Sequence, residues 1–474
     1  MNNYYCDGKV IRDSLGRQRI FKGINICIKS KKQISARKLE KEICNQKYID
    51  SLKSQGFNLI RLGITWDLIE PNENEYSTAY INVFKSFVAL CRNNDICIML
   101  DMHQDLFSLY LCHHGDGAPK WAVTDYKHGV KPLAVWSEGY FYMDHVQQAF
   151  YDFWMNKNSV QDKFAKMWQF YVKQFDGFDN IIGYDYLNEP FVHQNGSKIF
   201  LSLVQNTVNL VFGEKLDLEQ CFSNCSNRLG FVKMILKIAM VVKSIKQLKH
   251  LAKVMDSKEN FLTIIDSLEQ YTNDFNKKYY QQFYDNMCLS TNPTGDRFNI
   301  FEHNYYSNLG IPFTIECDSN SIYSPHAYDV FIDSPLYNKY SSNNRVEAII
   351  DSISINQDKM NVPVIFGEWG GGAKGEEWIN HIDYVYNLME KHQWSNVYWN
   401  FDFDNKELCR RLNRPYPVAI NGNIIEYSSD SKTKTFVLKW NQSQSNSDNL
   451  IYIPHKGIIS VKGTVGENTF TTEY

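Results

Sequence analysis

Two glutamates in the sequence are placed for paired acid and nucleophile chemistry. Glu189 lies in the tripeptide NEP (188–190) and Glu368 in the run GEWG (367–370). Each stands at the end of a short run rich in β-forming residues, 181–187 (IIGYDYL) and 362–369 (VPVIFGEW). If these runs are parallel strands of one barrel, their carboxyl ends open at the same mouth and the two side chains face each other. Carboxyl groups about 5–5.5 Å apart suit retaining cleavage of a glycosidic bond, one protonating the leaving oxygen and the other attacking the anomeric carbon. A lone glutamate at a strand end is usually a cap or a surface charge, so the reading rests on NEP and GEWG together.

The elements that must position these groups recur along the chain. Apolar, β-rich runs occur at 21–25 (FKGIN), 58–64 (NLIRLGI), 97–103 (CIMLDMH), 181–187, 298–303 (FNIFEH), 322–329 (IYSPHAYD), 362–369 and 395–402 (SNVYWNFD). Stretches of helical periodicity such as 80–93 separate them. Eight such runs predict an α/β fold, a (β/α)8 barrel over residues 1–415, with the glutamates on its fourth and seventh strands. A doubly wound sheet would want a glycine-rich phosphate loop after an early strand, and none is present.

Two segments break the pattern. The interval 191–297 is far longer than one βα unit and predicts a helical insertion over about residues 196–275. Within it, 231–242 (FVKMILKIAMVV) is followed by Lys243, Lys246, Lys249 and Lys253. Lys233 and Lys237 interrupt the apolar run, which is too short to span a bilayer. Segment 229–254 therefore reads either as a packed extra helix with solvated lysines or as an amphipathic element in peripheral contact with an anionic membrane surface. Short alternating runs after the eighth strand predict a small β-sandwich over 416–474. At that size it would be marginal alone and should dock on the barrel.

Composition narrows the partners. The 474 residues carry 50 basic and 53 acidic side chains, a formal net charge of -3, which argues against the basic surface that nucleic acid binding needs. The first ten residues, MNNYYCDGKV, show no basic stretch followed by an apolar one. The eleven cysteines are an odd number without a CxxC pair. Both features favour a reduced, intracellular setting, while sequons at Asn195 and Asn441 keep export open. Cys221 and Cys225 are near in sequence, but no cluster completes a ligand set, so no metal is expected.

The motifs also carry a family resemblance. FKGIN (21–25), DMHQD (101–105), GDGAPKWA (115–122), NEPF (188–191), SPHAYD (324–329), GEWG (367–370) and RPYP (414–417) resemble glycoside hydrolase family 5, and within it the endoglycoceramidase, glucosylceramide-cleaving branch. DMHQD with GDGAPKWA, and RPYP before a β-sandwich, are the features nearest that branch. The resemblance implies Glu189 as acid/base and Glu368 as nucleophile. It implies Arg61 as the partner that keeps the nucleophile ionised, and Asn188 as the group that holds the sugar 2-OH. His103 and Asp105 would take further sugar hydroxyls, His326 and Tyr328 would stand beside the carboxylates, and Trp399 would form a platform under the sugar. Trp121 would line the route to the aglycone, and Lys31 would bind sugar, although Lys29 and Lys32 are close by.

The reading expected from sequence is thus a retaining β-glycosidase that cleaves sugar from ceramide without a cofactor, its partner a glycolipid. The alternatives are a family 5 β-glucanase, a steryl β-glucosidase, or a non-catalytic carbohydrate or lipid binder. The last has no need of two opposed carboxylates.

Overall fold

The computed structural model describes residues 4–29, 34–123, 130–133, 135–193, 195–223, 225–332, 337–372, 374–444 and 448–474. Three short antiparallel strands come first, β1 (Tyr4–Asp7), β2 (Val10–Asp13) and β3 (Arg17–Arg19). The barrel strands follow: β4 (Lys22–Ile28), β5 (Leu59–Thr65), β6 (Cys97–His103), β7 (Ile181–Asp185), β8 (Phe298–Phe301), β9 (Ser321–Tyr323), β10 (His326–Ala327), β11 (Ile365–Gly370) and β12 (Ser395–Trp399). They form one parallel sheet in the order β10-β11-β12-β4-β5-β6-β7-β8-β9. Strands β9 and β10 occupy one position, broken at 324–325, where Pro325 has no N–H to give a ladder. β9 pairs with β8, β10 pairs with β11, and a parallel bridge from Tyr323 to Val364 closes the ring. The result is the expected (β/α)8 barrel.

Strand β5 shows how the sequence sorts itself between layers. Its side chains alternate faces, as a two-residue period requires. Ile60, Leu62 and Ile64 pack outward in the core shared with the helices. Leu59 points inward and joins Phe21, Met99, Ile182, Ile300, Ile365 and Val397 in an apolar layer inside the barrel. Two residues further along β5, Arg61 faces the same interior with no exposed surface. The barrel is therefore oily toward its floor and charged toward its mouth.

The N-terminal strands differ from the expectation that residues 1–415 are all barrel. β3 pairs with β13 (Tyr416–Asn421), so β1, β2 and β3 extend a C-terminal sheet of order β1-β2-β3-β13-β16-β17. That sheet includes β16 (Asn449–Ile453) and β17 (Gly457–Val461), and faces a second of order β14-β15-β18, built from β14 (Asn423–Asp430), β15 (Thr435–Gln442) and β18 (Gly466–Glu473). Ile420, Tyr427, Phe436, Leu438, Trp440 and Ile451 fill the space between them. The hairpin also closes the barrel floor: Ile11 joins the inner layer, and the Tyr4 ring meets Phe21 edge-on at 5.3 Å. No apolar run marks this role in the sequence, because strands of three or four residues carry too little periodicity.

Between β7 and β8 the chain forms the helices Asn195–Phe212, Asn227–Val241, Ile245–Met255, Lys258–Asp266 and Glu269–Asp274, then a π-helical turn Phe275–Tyr280 leading into Gln281–Thr291. Among the described residues no helix is long and apolar enough to cross a membrane.

Candidate active site

The two glutamates meet at the mouth of the barrel. Ligand atoms of Glu189, His326 and Glu368 all lie within 4.8 Å of one another, and all three residues are buried. Glu368 ends β11. Its Oε1 accepts a hydrogen bond from Arg61 Nη1 at 2.8 Å, and its Oε2 accepts one from the Tyr328 hydroxyl at 3.0 Å. Both oxygens of this carboxylate are therefore fixed in place by donors. A side chain at Gly367 would meet Ser324 Oγ at 2.5 Å and His326 Nε2 at 3.0 Å, so the residue before Glu368 must be bare.

Glu189 follows β7 with φ of +44°, a conformation that non-glycine residues rarely adopt. Its Oε1 accepts from Asn308 Nδ2 at 2.6 Å and faces His326 Nδ1 at 3.0 Å. Asn308 is oriented in turn by His303, whose Nε2 lies 2.8 Å from Asn308 Oδ1. Burial pushes the pKa of His326 and of His303 down to about 3, so both rings are neutral at ordinary pH. Burial raises Tyr328, with Glu368 and Glu189 adding to the effect, so its phenol keeps the proton that it donates.

Beneath the pair lies a buried charge cluster. Arg61 makes ion pairs with Asp101 and Asp185 at 2.9 Å, with Glu302 at 2.5 Å and with Glu368 at 2.8 Å. It also donates to Asn188 Oδ1 at 2.9 Å and Asn25 Oδ1 at 3.1 Å. One cation cannot balance four carboxylates. Burial pushes Asp185 up to about 6 against the pull of Arg61, and burial with the Asp185 charge holds Glu302 well above the usual range, so protons are retained here. Glu302 reaches across the site: Oε1 meets Arg61, and Oε2 accepts the backbone N–H of Glu189 at 2.7 Å.

A second polar group flanks the first. His103, at the end of β6, places Nδ1 3.2 Å from Asp101 and Nε2 3.7 Å from Asp105. Its ring lies parallel to Trp399, with centroids 5.6 Å apart. Lys29 pairs with Asp105 and, at 3.2 Å, with Asp116, and its ammonium stands 5.6 Å from the Trp399 ring. Burial opposes charge on Lys29, but Asp105 and Asp116 outweigh it and raise its pKa well above the ordinary value. Among the described residues three trios are close enough to hold a cation: His103, Asp105 and Asp116; Glu189, His326 and Glu368; Asp101, Asp185 and Glu302. The Lys29 ammonium already faces the first, and the Arg61 guanidinium the other two.

Of the residues selected from sequence, Arg61, His103, Asp105, Asn188, Glu189, His326, Tyr328, Glu368 and Trp399 converge here. Trp121 does not join them. Its indole N–H donates to the Glu70 carbonyl at 3.1 Å and its ring packs edge-on against Trp66 at 5.2 Å, which fixes it against the short helix Trp66–Ile69 that follows β5. Lys31 lies outside the described residues; among those described, Lys29 reaches the site. Asn25, Asp101, Asp116, Asp185, Glu302, His303 and Asn308 were not selected. Asp101 and Asp185 carried a usable signal, since a strand period of two puts Asp101 on the face of His103 and Asp185 on that of Gly183, inside the barrel. Asp116 comes from a loop and Asn308 from the short 3-10 helix Tyr305–Leu309, and in neither is there enough periodicity to give direction.

The chain matches the family model described as Cellulase (glycosyl hydrolase family 5) over residues 20–215 and 259–405. It matches the glycoside hydrolase family 5 C-terminal domain over 414–470. It is 27% identical over 202 residues to an endoglycoceramidase of Cyanea nozakii, covering 38% of this chain and 40% of that one. To endoglycoceramidase I of Rhodococcus hoagii it is 26% identical over 201 residues, covering 42% and 39%. The chain thus spans about two fifths of the length of these curated relatives. In fold it is similar to endo-glycoceramidase II from Rhodococcus sp. in a ganglioside GM3 complex, with TM-score 0.67, 20% identity and coverage of 98% and 99%. It is similar also to Cryptococcus neoformans sterylglucosidase 1, with TM-score 0.66, 14% identity and coverage of 99% and 96%.

Proposed function

The chain belongs to glycoside hydrolase family 5, and from that premise we propose that it is a retaining β-glycosidase that splits the bond between a sugar and ceramide in glycosphingolipids. The observation that carries the mechanism is the approach of Glu189 and Glu368 to within 4.8 Å. That approach is nearer the roughly 5–5.5 Å of retaining enzymes than the roughly 6.5–9.5 Å at which an inverting enzyme fits a water between carboxylate and anomeric carbon.

In this reading Glu368, held by Arg61 and Tyr328, attacks the anomeric carbon. The bond from that carbon to the aglycone oxygen breaks, and Glu189 gives its proton to the departing oxygen. A water then attacks the glycosyl ester, Glu189 takes one of its protons, and the sugar leaves with Glu368 restored as carboxylate. Asn188, fixed by Arg61, is the donor for the sugar 2-OH. Asp105, His103 and Lys29 bind other hydroxyls over the Trp399 face, with Asp105 and Lys29 polarised by their pairing.

A glycolipid substrate is supported by the endoglycoceramidase relatives and by the apolar and basic helices that follow Glu189 in the chain. The test is to incubate the protein with glucosylceramide, lactosylceramide, a steryl glucoside and a soluble β-glucan, and to identify products by mass spectrometry. Free ceramide with intact sugar is the expected result. Cleavage confined to the steryl glucoside or the β-glucan would overturn the ceramide assignment.

A further inference from the structure

The helix Asn227–Val241 has two faces, and both are apolar. Gly230, Phe231 and Met234 are buried, with the Phe231 ring tilted against Tyr142 at 4.5 Å. On the outside, Leu229 is 49% exposed, Val232 37%, Ile235 49%, Leu236 60% and Met240 62%. Residues 229, 232, 236 and 240 are spaced by three and four, so they form one continuous stripe, with Ile235 beside it. Isolated exposed apolar residues are ordinary, whereas a contiguous row marks a surface that another phase or molecule covers.

The charge around the stripe selects what covers it. Between residues 220 and 255 there are seven basic side chains, Arg228, Lys233, Lys237, Lys243, Lys246, Lys249 and Lys253, and no Asp or Glu. Among the described residues none of these seven makes an ion pair with a carboxylate. Lys233, Lys243, Lys246 and Lys249 are exposed. Two copies of this face would set like charges against each other, which disfavours self-association. Apolar side chains bordered by unpaired lysines instead match a surface of acyl chains beneath anionic headgroups.

The stripe is also tied to the catalytic mouth. Phe231 stacks on Phe200 at 6.3 Å, Phe200 on Phe141 at 4.2 Å, and Phe141 reaches Tyr305 at 6.4 Å. The Tyr305 N–H donates to the Pro190 carbonyl at 2.9 Å, one residue beyond Glu189. A chain of packed rings thus connects this helix to the strand end that carries the acid.

We propose that the exposed face of Asn227–Val241, with the lysines of the following helix Ile245–Met255, docks the protein on an anionic bilayer with the active-site mouth turned toward it. The docking stands on the helix itself, whereas its benefit to catalysis rests on the glycolipid reading above. The experiment is co-sedimentation of the full chain with phosphatidylcholine vesicles that contain or lack phosphatidylserine, at low and high salt. Wild-type protein is expected to bind the anionic vesicles and to be released by salt, as screening over about 8 Å at physiological ionic strength requires. Two exposed-face variants, L236Q/M240Q and K243Q/K246Q/K249Q/K253Q, should each lose at least about tenfold in vesicle affinity, the first by the apolar area it withdraws from the acyl layer and the second by the usual contribution of each lysine at an anionic surface. Both should keep wild-type turnover of a short soluble aryl glycoside, which excludes misfolding as the cause. Unchanged vesicle binding in both variants, or no binding by wild type, overturns the proposal. Dimers in sedimentation velocity that L236Q/M240Q abolishes would assign the stripe to a second copy and overturn it too. Salt-sensitive vesicle binding without cleavage of any glycolipid would uphold the docking and sink the ceramide reading alone.

Discussion

Removing Glu302 should disable the acid without touching it. Glu302 is 1% exposed and links the two halves of the site, since it accepts from Arg61 and from the backbone N–H of Glu189. The second contact matters because Glu189 holds φ of +44°, a conformation that costs about 1–3 kcal/mol and persists only where its surroundings enforce it. Glu302→Leu keeps roughly the same volume but removes both acceptors. Loss of the bond to the N–H costs about 1–3 kcal/mol. The lost contact with Arg61 is softened because Asp101, Asp185 and Asn188 still hold the guanidinium. A stability loss of about 1–3 kcal/mol is therefore expected, short of the 3–5 typical of a broken buried pair. If Glu189 then relaxes by about 1 Å, turnover falls about 10²-fold. The assay is kcat and KM on glucosylceramide and on a dinitrophenyl glycoside, whose leaving group needs no proton, beside a thermal melt. The first substrate should lose about 10²-fold in kcat, in line with such a displacement, with little change in KM. The second should lose far less in the bond-breaking step, and Glu302→Gln, which keeps one carbonyl oxygen, should recover part of the loss. Wild-type kcat on glucosylceramide in folded Glu302→Leu, or equal losses on both substrates in kcat/KM, which reads the bond-breaking step, would refute a role through Glu189.

Other consequences follow from the same geometry. Glu189→Ala should abolish glycolipid cleavage yet spare the bond-breaking step of the dinitrophenyl glycoside, measured as its initial burst; equal losses would remove Glu189 as the acid. Lys29→Ala should lower kcat/KM by about 10- to 100-fold, the worth of a charged hydrogen bond to sugar of about 1.5–3 kcal/mol, and more than Lys31→Ala does; the reverse order would return the sugar contact to Lys31. At the junction of barrel and sandwich, burial pushes Glu390 up to about 7 although Arg414 opposes it and Ser429 donates to it through N–H and hydroxyl. A raised acid contributes stability that is complete below its unfolded value near 4.5 and lost as pH rises through 7. Glu390→Gln should therefore flatten the fall in stability between those limits, a difference of up to about 3 kcal/mol read by denaturant titration at several pH values; an unchanged slope would show that the fall arises elsewhere.

The barrel was legible because its strands announce themselves: NLIRLGI and CIMLDMH are apolar runs of strand length between helical stretches, and a parallel sheet covered on both faces produces that texture. The candidate carboxylates at strand ends, Glu189 and Glu368, were legible for the same reason. The floor of the barrel was not, because YYCD and VIRD at β1 and β2 are too short to show which layer they enter. Nor was Glu302 recognised, although it follows directly after β8. A carboxylate that pairs with an arginine from another strand looks, in sequence, like any charged residue at a strand end. Lys29 shows the limit most plainly, since lysines two residues apart past a strand share a face in any extended reading, and spacing alone does not single out Lys29.

The measurement that tests the central claim most directly is the anomeric configuration of the sugar at first release, followed by early-time proton NMR before mutarotation. Paired carboxylates as close as Glu189 and Glu368 predict that the β-anomer appears first, through an ester on Glu368. Glu368→Gln, which cannot form that ester, should reduce turnover by several orders of magnitude in a folded protein. Initial release of the α-anomer, or near-normal turnover by folded Glu368→Gln, would contradict the account.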